Sequence, residues 1–304
     1  MSKKNSYPFL LFLSISLTLF FQSNAGSLVV YWGQNNDDGY LTDTCNTRFF
    51  QIVNLAFLSS FGNGNPPQLN LAGHCNPPNC QNLGKSINHC QSIGIKVILS
   101  IGGEYMGKYS LSSPEDANQV ADYIWNTYLG GNSNSRPFGD VILDGVDFDI
   151  EGGSGNIHYA TLAMKLNDHY KSDSRKKYYL TAAPMCPFQD NILQRALSTG
   201  LFDYVWIQFY NQANNCNFDS NNPTGFKNSW NQWINSPFAK NQNVFVGLPA
   251  SRNASNGGFV PSQVLINQLL PFVKLSSKYG GVMLWNRYYD ITIGQYSSRI
   301  RGSV

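Results

Sequence analysis

The sequence is short of charge. Only 13% of its 304 residues are Asp, Glu, Lys or Arg, with 21 basic side chains against 18 acidic ones. A chain so near neutrality has no basic field to hold the phosphates of nucleic acid or an anionic membrane surface, so neither is expected as a partner. Long apolar runs are scarce too. The N-terminal one, about 13 residues, falls short of the roughly 20 that a membrane span needs, and no later segment is long or apolar enough to cross a bilayer. No paired CxxC supports a zinc site built on His74 and Cys75. No glycine-rich phosphate loop follows the first strand-like run, where WGQNNDDG stands instead. No metal and no other cofactor is expected.

What the N-terminus does contain is Lys3 and Lys4, then the apolar run, then QSNA ending in small residues. That is the layout of a secretory signal peptide, residues 1–25, with cleavage after Ala25. Losing Lys3 and Lys4 lowers the formal charge from +3 to +1. Residues 26–304 show no internal repeat and no dividing linker, so one domain and a monomer are expected. All six cysteines, Cys45, Cys75, Cys80, Cys90, Cys186 and Cys216, lie in that part. An even number in an exported chain points to three disulfides. The proline-rich CNPPNC turn suits a local bridge between Cys75 and Cys80; the other pairings stay open. Asn253-Ala254-Ser255 is a glycosylation sequon on an exported chain. The ending RIRGSV carries no ER-retention tetrapeptide, which leaves the extracellular space (apoplast) or the vacuole as destination.

Eight short runs rich in β-branched and aromatic residues recur: 27–34, 52–58, 96–103, 145–151, 179–184, 204–210, 244–250 and 280–286. Most are continuously apolar, as parallel strands covered on both faces are. Helix-like segments lie between several of them. One spans 113–129, with Ser113 as cap and Glu115 and Asp116 at its start; another spans 261–280 and ends at a glycine. Eight strands alternating with helices predict an α/β fold, a (β/α)₈ TIM barrel, in preference to a doubly wound open sheet. Catalytic groups of such barrels sit at the carboxyl ends of the strands. Tyr31, Phe57, Tyr210 and Trp285 end runs there, and so does the stretch LDGVDFDIEGG (143–153).

That stretch puts Asp147, Asp149 and Glu151 two residues apart, hence on one face of a strand, with Phe148 and Ile150 on the other. Successive carboxylates are then about 6–7 Å apart at the backbone. They cannot all be ionised in an apolar setting, so protons are shared and at least one pKa rises. Glu151, nearest the rim, is the natural general acid. Solvated or capping carboxylates and a divalent-metal site are the rival readings. Glycoside hydrolysis, which needs a protonated carboxyl beside a second carboxylate, fits better.

LDGVDFDIE matches the DxxDxDxE signature of glycoside hydrolase family 18 through Asp144, Asp147, Asp149 and Glu151, and KVILSIGG resembles that family's SxGG element. YWGQN, NLAFL, LAGHCNP, LTAAPMCPF, GLFDYVWIQFYN and SSKYGGVMLW resemble the plant class III chitinases, the hevamine-like group, over essentially all of residues 26–304. The resemblance implies an endochitinase, with possible lysozyme side activity, that cleaves β-1,4 bonds between N-acetylglucosamine units of chitin or chitooligosaccharides with retention of configuration. Glu151 would protonate the glycosidic oxygen, while the substrate's own acetamido oxygen attacks and gives an oxazolinium. Asp149 would orient the acetamido N–H, Asp147 would share a proton with Asp149, and Tyr210 would donate to the acetamido oxygen. Tyr31, Gln34, Phe57, Asn70, Gln208 and Trp285 would line the sugar groove, with Trp285 as its floor. The implied disulfides are Cys45–Cys90, Cys75–Cys80 and Cys186–Cys216.

The pattern breaks after SIGG, where GGEYMGKYS puts Glu104 and Tyr105 in place of the small residues usual in the family. Met185 likewise stands after AAP where a polar residue is common. A bulky Glu104 in the groove would favour a chitinase-like lectin or glycosidase inhibitor; a Glu104 facing solvent would not. Intact Asp147, Asp149, Glu151 and Tyr210 favour the enzyme.

Overall fold

Each of the eight apolar runs forms a strand, and one further strand lies between the second and third. In chain order they are β1 (Ser27–Trp32), β2 (Ile52–Gly62), β3 (Asn65–Leu69), β4 (Lys96–Gly103), β5 (Gly145–Ile150), β6 (Tyr179–Ala182), β7 (Tyr204–Gln208), β8 (Asn243–Pro249) and β9 (Tyr279–Trp285). The computed structural model describes residues 26–106, 108–154, 156–212, 216–239 and 242–304, so the expected signal peptide lies outside the described residues. All pairings but one are parallel, running β1–β2–β4–β5–β6–β7–β8–β9, and β9 returns to β1. The ring is closed: the fold is the expected (β/α)₈ barrel. The exception, β3, pairs antiparallel with the far end of β2. Its sequence NPPQL carries two prolines that cannot donate to a ladder, which suits an outer edge and hides the strand from pattern reading.

Why the runs are apolar throughout follows from the two covered faces. Along β1, Val29 and Tyr31 point into the barrel with Ile98, Trp206, Phe245 and Met283. Leu28, Val30 and Trp32 point outward beneath the helices. On β5 the outward set is Val146, Phe148 and Ile150. The alternation therefore turns Asp147 and Asp149 into the barrel, where both are buried.

The helices between strands include α1 (Leu41–Asn46), α2 (Gln81–Ser92) and α3 (Pro114–Tyr128). α3 starts as expected: Ser113 accepts from the Asp116 amide at 3.2 Å, with Pro114 in the first turn. The helix expected over 261–280 is shorter. It runs as Ser262–Val264, a π-helical Leu265–Leu269 and Leu270–Val273, and the chain re-enters the sheet at Tyr279. Pro271 has no N–H to donate and its ring crowds the preceding turn; the wider π turn just before it takes up that mismatch.

All three implied disulfides are present. Cys45–Cys90 ties α1 to α2, Cys75–Cys80 closes the CNPPNC turn, and Cys186–Cys216 joins the loops after β6 and β7. Cys75 is thus consumed, and His74 bonds the Asn35 carbonyl at 2.8 Å, which removes the zinc reading.

Candidate active site

Asp147 sits deepest. It lies level with Ser100 on β4 and Thr181 on β6, and both hydroxyls donate to it, at 2.7 and 2.8 Å. Tyr31 donates a third bond at 2.7 Å, and its own oxygen accepts from Trp206 Nε1 at 2.9 Å. Burial pushes the Asp147 pKa up to about 6, while the donors pull the other way.

One layer higher, Asp149 hydrogen-bonds Glu151 and accepts from Gln208 Nε2 at 2.9 Å. The same nitrogen reaches Glu151 Oε1 at 3.1 Å. Burial raises the pKa of both acids. For Asp149 the charges of Glu151 and Asp147 add to it; for Glu151 the Gln208 bond opposes it and the Glu104 charge adds. Two carboxyls in contact hold one proton between them. This differs from the expected sharing between Asp147 and Asp149. Asp147 is enclosed by three hydroxyls, and Asp149 turns toward Glu151 instead. Asp144, first residue of the signature, lies at the opposite end of the strand. Its carboxylate accepts from the Val97 amide (2.7 Å), Gln91 Nε2 (2.9 Å) and Lys176 Nζ (2.8 Å), stapling the bottom of the barrel.

Above the acids is a cavity of about 400 Å³, lined by Asp149, Glu151, Tyr210, Gln34, Phe57 and Trp285 on the barrel side. The Phe57 and Trp285 rings stack with centroids 6.0 Å apart. Tyr210 is buried, and burial plus the neighbouring carboxylates raise its pKa well above 10, so its hydroxyl stays a donor. Gln34 lines the cavity while its amide bonds the Ala56 and Asn70 carbonyls at 2.7 and 3.2 Å. The other expected groove residues stand beside or beneath this lining. Tyr31 is 1% exposed, beneath the Phe57 and Trp285 rings. Gln208 bridges the two acids from below. Asn70 pairs its backbone with Phe57 in both directions, at 2.8 and 2.9 Å, and so fixes that ring.

Sequence reading missed the opposite wall, made by Asn211, Asn253, Ser255 and Asn256. The exposed sequon residue Asn253 therefore stands on the rim. Also missed were Ser100, Thr181 and Trp206, polar groups inside apolar strands whose interruption of the pattern was the available signal. Glu104 lines the cavity. Tyr105 folds away over Gly152, where an added Cβ would lie 2.5 Å from Tyr105 Cβ, and its ring meets Tyr109 edge-on at 5.2 Å. Met185 donates its amide to Asp190 at 2.8 Å. A larger cavity of about 810 Å³, lined by Pro67, Pro77, Tyr123 and Asn126 among others, contains no carboxylate and lies apart from this chemistry.

Comparison with known proteins agrees with the geometry. Residues 27–260 match the model of the glycosyl hydrolases family 18. A basic endochitinase of Nicotiana tabacum is 58% identical over 282 residues, which is 92% of each chain. The crystal structure of ICChI chitinase from Ipomoea carnea superposes with a TM-score of 0.85 at 46% identity, covering 92% of this chain and all of that one. A xylanase and α-amylase inhibitor from Scadoxus multiflorus shares 38% identity and a TM-score of 0.83, over 92% of this chain and 99% of its own. A family model covering most of the chain, a relative at this identity and a closed barrel with its acids on β5 lead to one conclusion: the chain belongs to glycoside hydrolase family 18.

Proposed function

We propose that the protein is an exported endochitinase that cleaves β-1,4 bonds between N-acetylglucosamine units by a retaining, substrate-assisted mechanism. The observation that carries this reading is the buried, hydrogen-bonded pair Asp149 and Glu151, joined by Gln208, at the floor of an aromatic-lined cleft. Glu151 gives its proton to the glycosidic oxygen as the bond to the anomeric carbon breaks. The acetamido oxygen of the same sugar forms the new bond to that carbon, giving an oxazolinium. Water then attacks the anomeric carbon from the vacated side, and Glu151 takes the water's proton. Asp149 accepts from the acetamido N–H and offsets the positive charge. Tyr210, a donor held protonated by burial, aligns the acetamido oxygen. Asp147, engaged by three hydroxyls, offers Asp149 no hydrogen bond from below, and Asp149 turns upward toward Glu151. The Phe57–Trp285 floor gives the sugar ring an apolar face to rest on.

The named endochitinase relative supports chitin or chitooligosaccharides as substrate; a lysozyme side activity rests on the sequence resemblance alone. The N-terminal sequence supports export to the apoplast or vacuole. An inhibitor or lectin would have no use for an acid pair tuned in this way. The test is hydrolysis of a soluble N-acetylglucosamine hexamer by residues 26–304, with Glu151→Gln as control. Cleavage that falls at least about a thousandfold in the variant is expected, since both proton transfers lose their agent. Binding of the hexamer without cleavage by the wild type would make the protein a lectin and overturn the enzymatic reading.

A further inference from the structure

Asp149 and Glu151 have work to do in the cleft; Glu104 has none so far. Its side chain lines the same cavity, yet among the described residues no donor or cation pairs with it, and no Lys, Arg or His lines that cavity. Its side chain is exposed, but the backbone that carries it is held on both sides. The residue before it, Gly103, has φ +84°, and an added Cβ there would lie 2.8 Å from the Phe57 ring. The residue after it, Tyr105, is clamped over Gly152 and against Tyr109. Tyr109 in turn accepts from the Glu151 amide at 3.1 Å. The backbone at Glu104 is therefore set between the floor ring and the strand end that bears the acid, with its carboxylate exposed at the cleft. It also sits close enough to Glu151 for like-charge repulsion to be felt there.

An unpaired carboxylate carried at a set backbone position on the wall of a substrate cleft can recognise a cation on the substrate. On a chitin chain there is one way to obtain it: loss of an acetyl group turns a neutral acetamide into a primary amine that is protonated in weak acid. We propose that Glu104 makes part of the cleft a subsite for a protonated glucosamine unit, so that partly deacetylated chitin is preferred over the fully acetylated polymer. This rests on the chitinase reading above. The unit attacked must keep its acetyl group, because that carbonyl oxygen is the nucleophile; the amine belongs to a neighbouring unit.

The test compares kcat/KM on chitooligosaccharides of equal length, fully acetylated and carrying a single glucosamine, at pH 5.5 for the wild type and Glu104→Gln. The wild type should prefer the deacetylated substrate by roughly fivefold, the upper end for an exposed ion pair. That ratio should fall toward one in Glu104→Gln and in 0.5 M salt, which screens exposed charges. Products should carry acetylated reducing ends and be enriched in glucosamine at the adjoining unit. An equal ratio in wild type and variant, or discrimination against the amine, overturns the inference while leaving the chitinase reading intact. Failure of the wild type to cleave either substrate overturns both.

Discussion

Glu151 stands at the end of a ladder of environments. Asp147 is wrapped in hydroxyls, Asp149 is buried against another acid, and Glu151 is half open to the cleft. Its raised pKa has a consequence with a definite sign. A general acid works while protonated, so activity falls as pH rises through the folded-state pKa. The alkaline limb of kcat/KM on the acetylated hexamer should therefore lie above the ordinary carboxylate range. The charged groups facing Glu151 are Asp149 on its own strand, Glu104 after β4 and Asp190 after β6. Removing one negative charge in Glu104→Gln should move that limb to lower pH; an unmoved or rising limb would refute the coupling. The two-residue spacing made the shared face of the three acids legible from sequence. Their partners were not legible. Ser100 and Thr181 come from strands about 45 and 35 residues away, and only the parallel register sets them level with Asp147.

At the scale of elements, β4 meets β5 at a point where no side chain fits. Gly102 has φ +109°, and a Cβ there would lie 2.2 Å from the Asp149 carbonyl oxygen. Gly102→Ala should therefore force apart the two strands that carry Glu104 and Glu151. We expect a loss of more than about 4 kcal/mol in denaturant unfolding, in the range of severe lesions; a change under about 1 kcal/mol would mean that the strand end yields. The eight barrel strands were readable because burial on both faces leaves an unbroken apolar run. β3 was not, since its prolines mask it. The last long helix was overrun because a terminal glycine looked like a cap, whereas Gly280 belongs to β9 and the helix ends at Val273. Tyr31 and Asn70 were placed in the groove by resemblance to the family. In the structure Tyr31 is buried and donates to Asp147, and Asn70, though exposed, pairs its backbone with Phe57.

For the whole molecule, closure of the ring explains why one end collects the chemistry. Parallel strands all point their carboxyl ends to the same rim, so Phe57, Glu104, Glu151, Tyr210 and Trp285 converge from five strands. The barrel begins with Ser27, just after the expected cleavage point. N-terminal sequencing of the protein collected outside an expressing plant cell should therefore read Gly26 first; a chain that starts at Met1 would contradict export by this segment. Everything proposed about the cleft depends on the substrate's acetamido group acting as nucleophile above Asp149. The most direct measurement is the anomeric configuration of fresh products, followed by proton NMR within the first minutes of hexamer hydrolysis, before mutarotation. Two successive displacements at one carbon predict that the β-anomer appears first. An initial excess of the α-anomer would mean direct attack by water and would contradict the account.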